Sequence, residues 1–179
     1  LKLDWNISDD HRASLRYNKT EQSEPQFPSV GTTALSYNTF WYPQDKAITS
    51  LVGQWFADWT PNFSTELKVS KRDYESVPIP PLSMPQVALT FTGLRPTGAG
   101  TRNASLFLGT EASRHFNELA TNTKDAYFAG TWNLGAHELK GGLDISQNDV
   151  FNAFVQNTKG NYVFRCINSS NSFTYSFGS

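Results

Sequence analysis

The feature that most constrains this chain is a long hairpin that occurs at three places. Its arms are about twice as long as an ordinary strand, which averages 5–6 residues. The arms meet at tight polar turns, and wide polar connections separate one hairpin from the next. Long arms with short turns at one end favour a transmembrane β-barrel. The hairpins cover about residues 1–22, 46–77 and 121–150, with turns at 8–10, 58–62 and 133–136.

Apolar and polar side chains alternate along these arms. In the first arm Leu3, Trp5 and Ile7 alternate with Asp4 and Asn6. A period of two places each set on its own face of a sheet. A half-buried antiparallel sheet of a soluble protein alternates in the same way, so alternation alone does not distinguish lipid from water. The apolar set includes Leu1, Leu3, Trp5, Ile7, Leu15, Leu67, Leu139, Leu143 and Ile145.

Aromatic residues lie near the three short turns. Indole rings collect at membrane interfaces, where the ring is apolar and the N–H stays hydrated. The alternative is that these rings fill the core of a sandwich. The predicted membrane-interface aromatics are Trp5, Trp55, Trp59, Phe63 and Trp132.

Composition restricts the function classes. The chain has 179 residues, a formal net charge of −1 and a pI near 6.3, which give no electrostatic reason to expect a nucleic-acid partner. A mean hydropathy of −0.47 is compatible with a barrel, because only alternate residues meet lipid. The chain begins without Met and already within a predicted strand. We therefore expect a piece of a longer protein.

No residue pattern indicates catalysis, a metal or a cofactor. The sequence shows no Ser/His/Asp arrangement, phosphate-binding loop or dinucleotide fingerprint, so we expect no enzyme and no catalytic residues. Cys166 is the only cysteine and cannot form an internal disulfide. Glu111, His115 and Glu118 would share one side of a helix, but we favour a solvated polar segment over a metal site.

Two long connections separate the hairpins. Prolines in residues 23–45 and 78–120 predict long outer loops. Within the second, Val87–Leu94 is predicted as a short strand and Arg95–Asn103 as a turn region. Leu106–Leu119 is either a short helix or the lead-in to the next strand.

The first of these connections carries an aromatic cluster. Phe40, Trp41 and Tyr42 precede Pro43. These three aromatic residues are weak candidates for ligand binding. The loop could equally fold back on its own aromatic rings, because loops carry binding sites but also need packing. The ligand is unknown from the sequence.

A family resemblance covers most of residues 1–165. Its segments are Leu3–Asn6, His11–Tyr17, Leu108–Glu111, Arg114–His115, Asn117–Leu119, Thr123–Lys124, His137–Asp144 and Asn148–Asn152. In this order they resemble the β-barrel of TonB-dependent outer-membrane receptors of the Oar-like branch. Residues 166–179 resemble no family and stay unassigned.

The resemblance implies a 22-stranded barrel in the bacterial outer membrane with an N-terminal plug. It further implies nutrient uptake with energy from the TonB complex. The sequence contains no recognisable plug and only about six or seven strands. We therefore expect a barrel-wall segment that is not competent alone. Its expected partners are outer-membrane lipid, the missing plug domain, the TonB complex and an unknown nutrient ligand.

Two alternatives remain open. One is a soluble β-sandwich of the carbohydrate-binding type, in which Phe40, Trp41 and Tyr42 form a stacking platform. The other is a porin-like outer-membrane channel. The membrane prediction fails if outward side chains such as Leu15, Leu67 and Leu143 are packed inside a closed core.

Overall fold

A computed structural model describes the backbone of residues 1–94, 101–167 and 172–177, and the side chains of residues 1–93 and 102–165. The fold is all-β. Two short 3-10 helices, Asn38–Phe40 and Ala112–Arg114, interrupt the strands. The strands are β1 Lys2–Asn6, β2 His11–Gln26, β3 Ala34–Ser36, β4 Tyr42–Thr60, β5 Phe63–Pro78, β6 Gln86–Leu94, β7 Thr101–Leu108, β8 Phe116–Leu134, β9 His137–Val155, β10 Asn161–Ile167 and β11 Ser172–Phe177.

The chain divides into two compact units. The long-strand unit comprises Leu1–Gln22, Lys46–Ser76 and Leu119–Phe151. The mixed-sheet unit comprises Ser23–Asp45, Val77–Glu118 and Asn152–Ser179. Several long strands contribute residues to both units.

The long-strand unit is built on a six-stranded sheet in the order β1-β2-β4-β5-β8-β9. The short turns lie where the hairpin pattern predicts them: β4 ends at Thr60 and β5 begins at Phe63, while β8 ends at Leu134 and β9 begins at His137. Strands β5 and β8 pair in antiparallel register from Phe63 opposite Trp132 to Ser76 opposite Leu119. The predicted all-β fold of long antiparallel hairpins is confirmed.

Large apolar side chains of this sheet are exposed. Leu15 is 45% exposed, Leu67 is 41% exposed and Leu143 is 69% exposed. A soluble sandwich would bury such side chains between its sheets. The exposure therefore contradicts the soluble alternative and agrees with a strand face that meets lipid.

Strands β8 and β9 approach each other closely at a glycine. A Cβ atom added to Gly142 would lie 2.9 Å from the Cα of Ala129 and would also clash with the Phe128 carbonyl oxygen. The neighbouring Gly141 has open space at the same position. Glycine is thus required at 142 for steric reasons that do not apply at 141.

The mixed-sheet unit contains a five-stranded sheet in the order β11-β10-β6-β7-β3. Strands β6 and β7 form an antiparallel pair, β10 lies parallel to β6, and β3 lies parallel to β7. Parallel pairing joins segments that are distant in sequence. Neither parallel contact follows from the hairpin pattern.

The two predicted outer loops contain strands. The predicted short strand Val87–Leu94 is confirmed as β6, whereas β3 and β7 were not predicted. Segment 23–45 holds β3, and segment 78–120 holds β6 and β7. Their backbone N–H and C=O groups pair with one another and with the distant strand β10, and β3 lies at the edge of this sheet. Residues 95–100 of the predicted turn region lie outside the described residues.

The segment Leu106–Leu119 was predicted as a short helix or as the start of the next strand, and it is neither of these alone. It contains the end of β7, one 3-10 turn and the start of β8. In the unassigned tail, strand β11 pairs antiparallel with β10, and the side chain of Cys166 is not among those described. No helix in the described residues is long and apolar enough to span a membrane.

Candidate functional site

The polar face of the long-strand unit is the first candidate surface. The register of β5 and β8 places Glu66 opposite Ala129, Lys68 opposite Tyr127 and Ser70 opposite Asp125. Directly opposed residues share one face of the sheet. A groove of about 450 Å³ lies on this face. Its lining includes Gln54, Glu66, Lys68, Asp125, Tyr127 and Asp144.

Asp125 ties three strands together within this groove. Ser70 Oγ donates to Asp125 Oδ2 at 2.9 Å, and Ser146 Oγ donates to Asp125 Oδ1 at 2.7 Å. The same face continues with Thr123 Oγ1, which donates to Asn148 Oδ1 at 2.9 Å. Hydrogen bonds to an ionised carboxylate are stronger than neutral ones. The face is therefore an ordered polar surface with a fixed arrangement of acceptors and donors.

A second groove, of about 470 Å³, lies on the same type of face near the start of the chain. Lys2 and Asp4 form an ion pair at 2.8 Å, and the Arg12 guanidinium lies 5.8 Å from the ring centroid of Phe56. Charges of both signs line it. Mixed signs suit a hydrophilic conduit, and no convergent acid–base pair arises from them.

The predicted interface aromatics lie on the apolar face near the turns. Phe63 is the cross-strand partner of Trp132. Trp59 Nε1 donates to Thr65 Oγ1 at 2.8 Å, and the imidazole ring of His11 packs against Trp59 with centroids 5.1 Å apart. The rings of Trp5, Trp55, Trp59 and Trp132 are exposed, whereas Phe63 is half-buried. Their interface role stays a prediction.

The aromatic cluster of the first connection is mostly packed. Phe40 is 2% exposed and lies against Phe107 with ring centroids 5.3 Å apart. Tyr42 is buried beneath the guanidinium of Arg114, at 5.6 Å from the ring centroid. This packing corresponds to the folded-back loop that the sequence also allowed. A ligand-binding role for these rings stays a prediction.

Trp41 is the most accessible ring of the three. It is half-buried, and its Nε1 donates to Ser36 Oγ at 2.8 Å. Phe27 packs edge-on against it with ring centroids 5.2 Å apart. The hydrogen bond fixes the orientation of the indole ring, so Trp41 could offer only part of its surface to a ligand.

The structure corrects the prediction that His115 belongs to a solvated segment. His115 is 5% exposed. Its Nδ1 accepts from the backbone N–H of Lys159 at 3.1 Å, which makes Nε2 the protonated nitrogen that donates to the Thr110 carbonyl at 3.2 Å. Burial lowers the pKa of His115 below its usual 6.5, and the Thr110 carbonyl opposes this shift. His115 therefore has a structural role as a neutral imidazole.

The residues beside His115 form a hydrogen-bonded turn in the segment that carries the family resemblance. Thr110 is fully buried, and its Oγ1 donates to the Leu82 carbonyl and accepts from the Met84 N–H. Gly109 has a φ of +81°, and the Pro85 carbonyl occupies the space where its Cβ would lie. A glycine and a small hydroxyl residue are thus dictated by geometry at these two positions. Sequence reasoning missed this arrangement, because its partners are distant in the chain.

Metal-binding geometry is not found in the described part of the chain. No group of three or more His, Cys, Asp or Glu side chains comes together there. Glu111 instead pairs with Arg114 at 3.2 Å and caps the 3-10 turn by accepting from the Ser113 N–H. Glu111, His115 and Glu118 do not share one side of a helix, because the 3-10 turn ends at Arg114.

The amino-acid sequence was compared with models of protein families. The family model described as "Outer membrane beta barrel domain" matches residues 1–178. The chain belongs to this family. No curated protein and no solved structure matches the chain.

Membership in the outer membrane beta barrel family places this chain in the outer membrane. The exposed apolar face of the long-strand unit then meets lipid, and the polar face with its grooves lies on the opposite side of the same sheet. Barrels of this family are generally non-enzymatic. The absence of catalytic activity in this chain stays a prediction.

Proposed function

We propose that this chain forms part of the barrel wall of a TonB-dependent receptor of the Oar-like branch. The receptor would take up a nutrient across the outer membrane with energy from the TonB complex. One observation carries the proposal. A single sheet exposes large apolar side chains on one face and ordered, charge-bearing grooves of about 450 and 470 Å³ on the other.

The polar face suits contact with a plug domain or a hydrated substrate. Asp125 offers a carboxylate held by Ser70 and Ser146, and such a preorganised acceptor binds donors of a partner with little further ordering. The family resemblance of residues 1–165 supports a receptor over other barrels. In this proposal the plug domain, the TonB complex and the nutrient ligand are partners, and outer-membrane lipid surrounds the apolar face.

The test uses the full-length gene product that contains this chain. We expect the purified protein to show no steady conductance in planar lipid bilayers, because a plug fills the lumen of a receptor-type barrel. We also expect chemical cross-linking to the purified periplasmic domain of TonB. Full-length protein that was heat-denatured before mixing serves as the control for nonspecific cross-linking.

A porin-like channel is the second candidate, and the mixed-charge lining of the polar grooves is the observation that favours it. It predicts the opposite result. Steady conductance in the absence of any ligand, together with no cross-link to TonB, would overturn the receptor proposal and support the channel.

A further inference from the structure

The apolar face of the long-strand unit ends in a pair of lysines. Lys71 on β5 and Lys124 on β8 are direct cross-strand partners. On the same face and nearer the turns lie the partners Phe63 and Trp132, then Leu67 with Phe128, then Val69 with Ala126. The face thus changes at this level from apolar residues to polar and charged ones, with Asp73 and Asn122 as the next pair on the same face.

This level matches the expected edge of the hydrocarbon region. A strand tilted in a barrel rises roughly 2.5 Å per residue along the axis, so Phe63 and Lys71 are separated by about 20 Å. The apolar band of an outer-membrane barrel is about 25 Å tall. The aromatic pair Phe63 and Trp132 therefore marks one edge of the band, and the lysine pair marks the other.

Lys19 on β2 lies beyond the apolar residues of its own strand. It follows Ala13, Leu15 and Tyr17 on the apolar face, with the period of two that a strand imposes. Near the turns, His11 on β2 and Thr65 on β5 both contact Trp59. Lys19 lies eight residues beyond His11 and Lys71 six residues beyond Thr65, so Lys19 is roughly 5 Å further from the turn end at 2.5 Å per residue. We call Lys19, Lys71 and Lys124 the lysine row.

The lysine row is only partly neutralised by the protein. Lys71 pairs with Asp73 at 3.1 Å and Lys19 pairs with Glu21 at 2.6 Å, both on exposed side chains. Asp149, which lines a groove together with Asp73, accepts from Gln147 Nε2 at 3.3 Å. Lys124 forms no ion pair among the described residues. Asp73 also interacts electrostatically with Lys124. Like charges directly opposite one another destabilise a sheet, so an anion that binds beside Lys71 and Lys124 would reduce their repulsion.

We propose that the lysine row binds the phosphate groups of a phosphorylated lipid in the outer leaflet of the outer membrane. Short turns face the periplasm in bacterial outer-membrane barrels, so the opposite end of the strands, where the lysine row lies, is at the outer leaflet. Lysine stems cover apolar surface while the ammonium groups reach the headgroup layer. Each basic residue at an anionic membrane surface strengthens attachment.

The position of the row favours a lipid phosphate over free phosphate. The ammonium groups lie at the edge of an apolar face, where a lipid can bury its acyl chains and present its headgroup at the same time. A free phosphate ion gains nothing from the apolar surface beside the lysines. The inference depends on the outer-membrane location and not on coupling to TonB.

The test compares lipid binding by charge variants of the full-length protein. In the double variant Lys71→Gln and Lys124→Gln, the two cross-strand charges are removed at similar side-chain size. We expect its binding of bisphosphorylated lipid A in detergent micelles to be on the order of tenfold weaker than that of the unmodified protein. The measurement is the amount of lipid A that stays bound to the folded protein in native mass spectrometry.

The matched control is Lys68→Gln with Lys140→Gln, which removes two charges from the polar face of strands in the same sheet. We expect this control to bind lipid A as the unmodified protein does. If the double variant does not fold, Lys124→Gln is compared with Lys124→Arg, and only the former should lose binding.

Three outcomes would overturn the proposal: equal binding by both double variants, equal binding of dephosphorylated lipid A, or full competition by inorganic phosphate at low concentration. The last outcome would assign the lysine row to free phosphate instead of lipid.

Discussion

Gly141 and Gly142 are neighbours on β9 with opposite steric surroundings. We expect Gly142→Ala to destabilise the protein by about 1–3 kcal/mol, because the new Cβ would overlap Ala129 and the Phe128 carbonyl oxygen. The measurement is the midpoint of urea unfolding of the full-length protein in detergent micelles. Gly141→Ala, which meets nothing within 4 Å, is the control and should leave the midpoint nearly unchanged. Equal midpoints for the two variants would contradict the close approach of β8 and β9.

His115 makes the mixed-sheet unit sensitive to pH. Its pKa is lowered in the folded state by burial, so protonation favours unfolding. The stabilisation is complete above the unfolded pKa near 6.5 and decreases as the pH falls toward the lower folded value. Protonation also removes the Nδ1 acceptor of the Lys159 N–H bond, a loss of about 1 kcal/mol.

Hydrogen exchange of the Lys159 amide tests this expectation. Protection of that amide should decrease as the pH is lowered below about 6.5, and His115→Gln should remove this pH dependence. His137→Gln changes an exposed histidine next to a turn and should retain it. A pH dependence that persists unchanged in His115→Gln would assign the effect to another group.

Strand β9 is the element in which the two faces are most easily compared. Leu143 lies on the apolar face and is 69% exposed, and Asp144 follows it on the polar face. Arginine at the middle of a lipid face costs roughly 2–4 kcal/mol. We expect Leu143→Arg to lower the free energy of unfolding in lipid vesicles by about that amount, whereas Asp144→Arg should have a smaller effect. If the two costs were reversed, the assignment of faces would be wrong.

Among the strands, sequence periodicity predicted the polar and apolar faces of the sheet but did not predict every strand. Strand alternation is a local property, so the apolar positions from Leu3 to Leu143 could be assigned without any tertiary information. Strand β6 was predicted as Val87–Leu94, whereas β3 and β7 were not recognised within the predicted loops. Their sheet depends on parallel partners that are far away in the chain, and loop-like composition does not reveal such pairing.

For the molecule as a whole, the orientation in the membrane can be measured. A short epitope tag inserted between Gly31 and Thr32 should bind antibody on intact cells, because it lies in a connection opposite the short turns. A tag between Gly135 and Ala136, in the β8–β9 turn, should bind antibody only after the outer membrane is permeabilised. Both insertions are made in the full-length protein, and outer-membrane fractionation verifies that each is assembled. The reverse labelling pattern would place the turns outside the cell and would also displace the lysine row from the outer leaflet.

The sequence by itself determined the strand period, the positions of the short turns and the polar and apolar faces, because these depend on residues close together in the chain. It also allowed two opposite environments for Leu15, Leu67 and Leu143, and either exposed or packed rings at Phe40 and Tyr42. Only the tertiary structure decided between them, since burial depends on which distant segments pack against a side chain. The buried neutral state of His115 was decided in the same way. Thr110 and the Lys159 amide supply its partners, and their approach is a consequence of the folded chain that no local pattern contains.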